Sequence, residues 1–269
     1  MIEWNDYPLA GTGRPGQAVL KVHPDTLSPQ LRNYRDILVA LPGHYAAGQS
    51  RHPVIYLQDG QNLFDPMTSY AGDWGLVETL NGLAPDQPQP ILVGIPNMGR
   101  RRRYEYSPFR DIIHGGGGGD RYLAFLVETV KPLVDASFRT RPERSHTVIA
   151  GSSLGGLISL YGLFRHADVF GAAGVQSPAL WFADGAVLRF VEQAVGLPVG
   201  RVHLDVGTEE GGEALMDVRA LRALLVAGGY RPGVDLAYVE EEGADHDEAA
   251  WGRRFRDALP FLLGSLGSR

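Results

Sequence analysis

Cysteine is absent from all 269 residues. That excludes thiol nucleophiles, thiolate metal sites, iron–sulfur clusters and a disulfide framework together. A catalytic nucleophile must then be a hydroxyl, a carboxylate or a lysine, and only Lys21 and Lys131 are available. No apolar run approaches the roughly 18–20 residues of a membrane span. The start, Met1-Ile2-Glu3-Trp4-Asn5-Asp6, has neither the basic nor the apolar region of a secretory leader, so a cytoplasmic protein is expected. Positive charge is also in deficit. A formal net charge of −6 and a pI near 5.7 argue against nucleic acid or anionic membranes as general partners.

What remains is an ordinary globular composition, 44% hydrophobic and 21% charged. A chain of this length buries enough surface to need no staple, and one domain over 1–269 is expected. Short apolar runs alternate with segments of helical period, the pattern of βα units on a mostly parallel sheet. Strands are expected at Gln17–His23, Arg35–Leu41, Pro53–Gln58, Pro90–Ile95, His146–Ala150, Gly171–Gln176, Val202–Val206 and Leu236–Val239. Helices are expected at Asp73–Leu83, Arg121–Val134, Leu154–Arg165, Gly185–Ala194, Glu213–Ala227 and Asp247–Leu263. Between Pro96 and Asp120 lies an irregular stretch with the arginine run Arg100–Arg103 and the glycine run Gly115–Gly119. Such glycines cannot hold one conformation unaided, so this reads as a mobile surface loop, with a substrate-entry lid as the sharper alternative. The arginines read as a solvated charge run that would attract an anionic substrate only if the loop folds over the site.

One motif carries chemistry. Gly151-Ser152-Ser153-Leu154-Gly155 follows the strand ending at Ala150 and opens a helix, the context in which G-x-S-x-G forms a nucleophile elbow. So sharp a reversal strains the serine backbone, and Gly151 and Gly155 remove side chains that would collide. Ser153 then projects above the C-terminal edge of the sheet. The N–H of Leu154, at the helix N-terminus, can stabilise an oxyanion. A helix-capping serine would look similar. The downstream partners favour the nucleophile.

A serine hydroxyl needs a base. Of the eight histidines, only His246 lies on a loop after a late strand, in the chain order Ser…acid…His. The acid should follow the strand ending at Val206, where Asp205, Glu209 and Glu210 are candidates. Residue physics leaves the choice among them open.

These residues resemble the putative-esterase family of α/β-hydrolases, which includes enterochelin-esterase-like proteins, feruloyl and acetyl-xylan esterases, esterase D-type enzymes and mycolyltransferases. The resemblance runs from about Asn33 to Phe261. It is carried by PVIYLQDGQNLFD (Pro53–Asp65), VGIPN…RRYEYSP (Val93–Pro108), Gly151–Phe182, LDVGTEE (Leu204–Glu210) and GADHDEAAW (Gly243–Trp251). It implies an α/β-hydrolase fold, a mostly parallel sheet with helices on both faces. It also implies Ser153 as nucleophile, His246 as base, Glu210 as the acid, and the N–H of Gln61, or alternatively Asn62, as second oxyanion donor. Ser177-Pro178-Ala179-Leu180-Trp181 is similar to the family's aromatic wall near the acyl site, which makes Trp181 a substrate-binding candidate; a core position is as good a reading for a tryptophan. Many enterochelin esterases carry an additional N-terminal domain, for which 269 residues are expected to leave no room, and the Arg100–Gly119 stretch is not a general family feature.

The expectation is therefore a serine esterase acting on a small-molecule ester, of small acyl, sugar or siderophore type, through an acyl-enzyme. No metal or other cofactor is expected, and the oligomeric state is not legible. Acyl transfer to a sugar or lipid alcohol would use the same residues. A non-catalytic binding protein on the same fold is the third reading.

Overall fold

The structure is a computed structural model describing residues 3–84, 86–194 and 199–264. Met1 and Ile2, read above for a leader, lie outside the described residues, so the 1–269 span assigned to one domain is described only in part.

Nine strands form one sheet. They are β1 (Asn5–Asp6), β2 (Val19–Ser28), β3 (Asn33–Leu41), β4 (Val54–Gln58), β5 (Ile91–Ile95), β8 (Thr147–Ser152), β9 (Ala172–Gln176), β10 (Arg201–Gly207) and β11 (Leu236–Glu241). Between them in sequence, β6 (Arg110–Asp111) and β7 (Gly115–Gly116) make a separate two-stranded hairpin. The spatial order is β1-β2-β3-β5-β4-β8-β9-β10-β11. The first three strands pair antiparallel, as does β3 with β5, and every later neighbour is parallel.

The parallel strands are short apolar runs because both faces are covered. All five residues of β4 are buried. Val54 and Tyr56 face one hydrophobic cluster while Ile55 and Leu57 face the other, the two-residue alternation of a strand between two layers. The first cluster is covered by α3 (Gly119–Phe125), α4 (Lys131–Ser137), α5 (Leu154–Arg165), α6 (Phe182–Gln193) and α7 (Gly212–Ala227). The second lies under α1 (Leu76–Asn81) and α8 (Glu248–Leu262), through Leu76, Val77, Leu80, Trp251, Phe255 and Leu259. This is the α/β-hydrolase architecture expected from the sequence.

The strand order reverses at β4. From β4 the chain goes outward to β5 and then returns to β8 on the opposite side. In open α/β sheets such a switch leaves a crevice at the carboxyl ends of the strands, where ligands bind.

Several boundaries differ from expectation. β2 extends to Ser28 through a register shift between His23 and Thr26, which carries the strand past its apolar stretch. α1 is only Leu76–Asn81, because Gly75 in the left-handed region starts it late. α3 and α4 join through a π-helical stretch, Leu126–Val130.

The largest correction concerns Pro96–Asp120. Rather than a mobile loop, it has a short helix, α2 (Arg102–Glu105), followed by the β6–β7 hairpin. The glycines are fixed from outside. A Cβ on Gly116 would stand 2.3 Å from Phe109 O, one on Gly118 2.4 Å from the Tyr104 ring, and one on Gly119 2.5 Å from Pro108 N. Packing chooses the conformation that the glycine run alone does not. Nor is the arginine run wholly solvated, since Arg102 is held by Asp59.

Candidate active site

The sequence-predicted residues all follow the C-terminal ends of parallel strands. β8 delivers Ser153 at φ 58 and ψ −123, a strained backbone for a residue with a Cβ. Hydrogen bonds on both sides hold it. Its N–H donates to Gln176 O (3.0 Å), and its carbonyl accepts from Leu157 N (3.0 Å) and Ala179 N (3.0 Å). The flanking glycines are needed. A Cβ on Gly151 would lie 2.8 Å from Gln58 Cγ, and one on Gly155 2.9 Å from Gln58 Cβ. The turn is pressed against the end of β4, which is why both positions require glycine.

β10 ends at Gly207, and the following turn folds Glu210 back so that its Oε1 accepts the Gly207 N–H at 2.7 Å. β11 leads to the loop bearing His246, which ends where Asp247 caps α8 by accepting the Ala250 N–H (2.8 Å). His246 Nδ1 lies 2.7 Å from Glu210 Oε2. An ionised carboxylate only accepts, so Nδ1 carries the proton and Nε2 is left as the basic nitrogen. The ring stands edge-on to Trp251, centroids 4.8 Å apart. Among the described residues no hydrogen bond joins Ser153 to His246; contacts of this kind often tighten only with substrate in place.

The geometry separates the three acids. Glu209 is exposed. Asp205 is buried inside β10, 3.4 Å from His203 Nδ1 and 2.8 Å from Arg254 Nε. Only Glu210 reaches His246, with a side chain 1% exposed. Burial by itself would raise its pKa. Hydrogen bonds from His246, Ser177 and the Gly207 N–H outweigh that and hold it below the ordinary carboxylate value.

Residues that sequence reasoning missed surround this carboxylate. Ser177 Oγ donates to Glu210 Oε1 (2.6 Å) and accepts from Trp251 Nε1 (3.0 Å) and an Arg254 terminal nitrogen (2.7 Å). The same guanidinium reaches Glu210 Oε1 (3.2 Å) and Glu241 Oε2 (3.1 Å). Ser177 and Trp251 lie inside segments that carry the family resemblance, so a signal was present for them. For Arg254, three residues farther along α8, there was none.

On the other side of Ser153, Asp59 takes a left-handed conformation (φ 55, ψ 48) and starts a 3-10 turn, Gly60–Asn62. A Cβ on Gly60 would meet Gly94 C at 2.6 Å, so the turn sits directly on the end of β5. The Asn62 N–H is committed to Asp59 O (2.8 Å), and the Gln61 side chain accepts the Asn97 N–H (3.0 Å). Asp59 is clamped by Arg102 Nε (2.8 Å), Arg102 Nη2 (2.7 Å) and Asn97 Nδ2 (2.7 Å). Leu154 opens α5, and the first N–H groups of a helix have no acceptor within it. Trp181 is 54% exposed, packed against His114 with centroids 5.3 Å apart, so it is not a core residue. A larger cleft of about 1260 Å³ opens between α1 and α8, but none of the predicted site residues lines it.

Among the described residues no helix is long and apolar enough to cross a membrane. Residues 28–262 match the family model described as "Putative esterase". The uncharacterized protein YbbA of Bacillus subtilis is 27% identical over 255 residues, 89% of this chain and 96% of that protein. The siderophore triacetylfusarinine C esterase of Aspergillus fumigatus is 29% identical over 166 residues, 57% of this chain and 54% of that protein. An IroE-like serine hydrolase from Shewanella oneidensis superposes with a TM-score of 0.75 at 21% identity, covering 93% of this chain and 82% of that structure.

Proposed function

This chain belongs to the putative-esterase family and is a carboxylic ester hydrolase, and from that premise we propose that it works through Ser153, His246 and Glu210 by an acyl-enzyme route. The observation that carries the reading is the 2.7 Å contact between His246 Nδ1 and Glu210 Oε2, made by the loops after β10 and β11 at the same carboxyl edge of the sheet as the strained Ser153. His246 Nε2 takes the proton of Ser153 as its Oγ bonds to the ester carbonyl carbon, and Glu210 stabilises the imidazolium. The tetrahedral oxyanion is held by the N–H groups of Leu154 and Gln61. Gln61 is preferred to Asn62 because the Asn62 N–H is already spent on Asp59 O. As the intermediate collapses, His246 returns the proton to the leaving alcohol. Water, deprotonated by the same imidazole, then adds to the acyl-enzyme; as that intermediate collapses, His246 returns the proton to Ser153 Oγ and the acid is released.

The substrate in this reading is a small-molecule ester of the siderophore or sugar type, with Trp181 on the wall of the acyl site. Ser153→Ala is expected to fold and to abolish both turnover and labelling by a fluorophosphonate. Ester hydrolysis retained by that variant overturns the assignment.

A further inference from the structure

The glycine hairpin and the arginine run, which the esterase reading does not use, together enclose a cleft of about 560 Å³, within the rough 300–1,000 Å³ range that holds small ligands. It is lined by Arg100, Arg103, Tyr104, Arg110 and His114 together with the hairpin glycines Gly115–Gly117. Among the described residues none of these arginines, nor His114, takes part in a salt bridge. Closer to the triad, by contrast, Arg102 and Arg254 are each paired with carboxylates. The nearest acid in sequence, Asp111, has Oδ1 occupied by the N–H groups of Ile113 and His114.

Both walls of the cleft are tied to the site. Arg100 and Arg103 flank Arg102, which clamps Asp59 at the head of the turn carrying Gln61. His114 packs on Trp181, two residues beyond Ala179, whose N–H is bonded to Ser153 O. Exposed apolar side chains adjoin His114: Ile113, its neighbour in sequence, is 85% exposed, and Trp181, which packs on it, 54%. Guanidinium groups match the oxygens of carboxylate and phosphate in pairs, and a cleft of one sign concentrates anions.

We infer that this cleft is an anion subsite for a carboxylate or phosphate carried on the acyl part of the ester. The inference rests on the esterase reading for the word substrate, but not for the anion. The test therefore has two arms. In the first, wild type and Arg103→Glu/Arg110→Glu hydrolyse 4-nitrophenyl hydrogen adipate and its neutral counterpart, 4-nitrophenyl hexanoate. The expected result is that the double variant loses at least tenfold more kcat/KM on the anionic ester, about 1.4 kcal/mol, through KM. The wild-type preference should also fall with salt. In the second arm, inorganic pyrophosphate is titrated into Ser153→Ala by calorimetry, with and without the two glutamates and with Arg103→Gln as a milder variant. Binding should be lost with the glutamates and weakened with the glutamine. Pyrophosphate that fails to bind, or binds the double variant equally well, overturns the anion site. Binding lost with the preference ratio unchanged overturns its assignment to the substrate. Failure of wild type to hydrolyse either ester refutes the triad reading and leaves the calorimetric arm to decide the cleft.

Discussion

Ser177→Ala removes one oxygen that three groups share. The hydroxyl is 3% exposed, donates to Glu210, and accepts from Trp251 Nε1 and Arg254. Alanine inherits the same positive φ of 39, so backbone strain is unchanged and only the hydrogen bonds differ. A bond to a charged acceptor is worth about 1.5–3 kcal/mol, and leaving the Trp251 N–H without a partner costs about 1–3 kcal/mol. Arg254 keeps its carboxylates and adds little. The sum is about 3–5 kcal/mol after allowance for partial relaxation, or roughly 6–10 °C in Tm for a chain of this size. The electrostatic consequence is separate. Burial works to raise the Glu210 pKa and the Ser177 hydrogen bond works to lower it, so the variant should titrate Glu210 at higher pH. Calorimetric Tm with a pH profile of kcat/KM checks both, and Ser177→Thr, which keeps the hydroxyl, should restore much of each. A Tm within 2 °C of wild type (roughly 1 kcal/mol) and an unshifted acid limb would refute the reasoning.

Glu210→Gln should lower kcat on the order of 10⁴-fold, whereas Glu209→Gln, on an exposed side chain, should stay near wild type in the same assay. The depressed Glu210 pKa also fixes an acid-stability sign: the carboxylate's contribution is fully present above the unfolded-state value and is lost as pH falls through the lower folded one. Urea unfolding of wild type against Glu210→Gln should therefore show a difference that holds from pH 7 to about 4.5 and shrinks below it. Arg102→Met should loosen the Asp59 turn and with it the Gln61 N–H, lowering kcat roughly 10- to 100-fold with little change in KM, read by steady-state kinetics. Gly116→Ala, with φ +91 and a Cβ 2.3 Å from Phe109 O, should cost about 1–3 kcal/mol by urea unfolding, and Gly115→Ala less, because nothing lies within 4 Å of it.

Local chemistry was enough to read much of this protein. The buried runs of β4, β5 and β8 are apolar because both sheet faces are covered, and that pattern repeats along the chain. The elbow at Ser153 was legible because a sharp strand-to-helix turn demands glycines at fixed offsets. Chain order singles out His246 as the histidine on a loop after a late strand, and that loop does carry its ring to Glu210.

Three things were decided only when distant segments met. Glu209 and Glu210 are neighbours with identical side chains, and the return of the β10 turn onto Gly207 is what aims one at His246 and the other at solvent. Five consecutive glycines have no preferred conformation of their own, and contacts with Phe109, Tyr104 and Pro108 impose one. Arg254 carries no local mark of function. It stands out because α8 packs against β9 and β10, bringing one buried cation among carboxylates from Asp205, Glu210 and Glu241. Periodicity and turn chemistry act over a few residues and are written in sequence; the pairing of buried charges acts through space, and only the fold sets which groups are near.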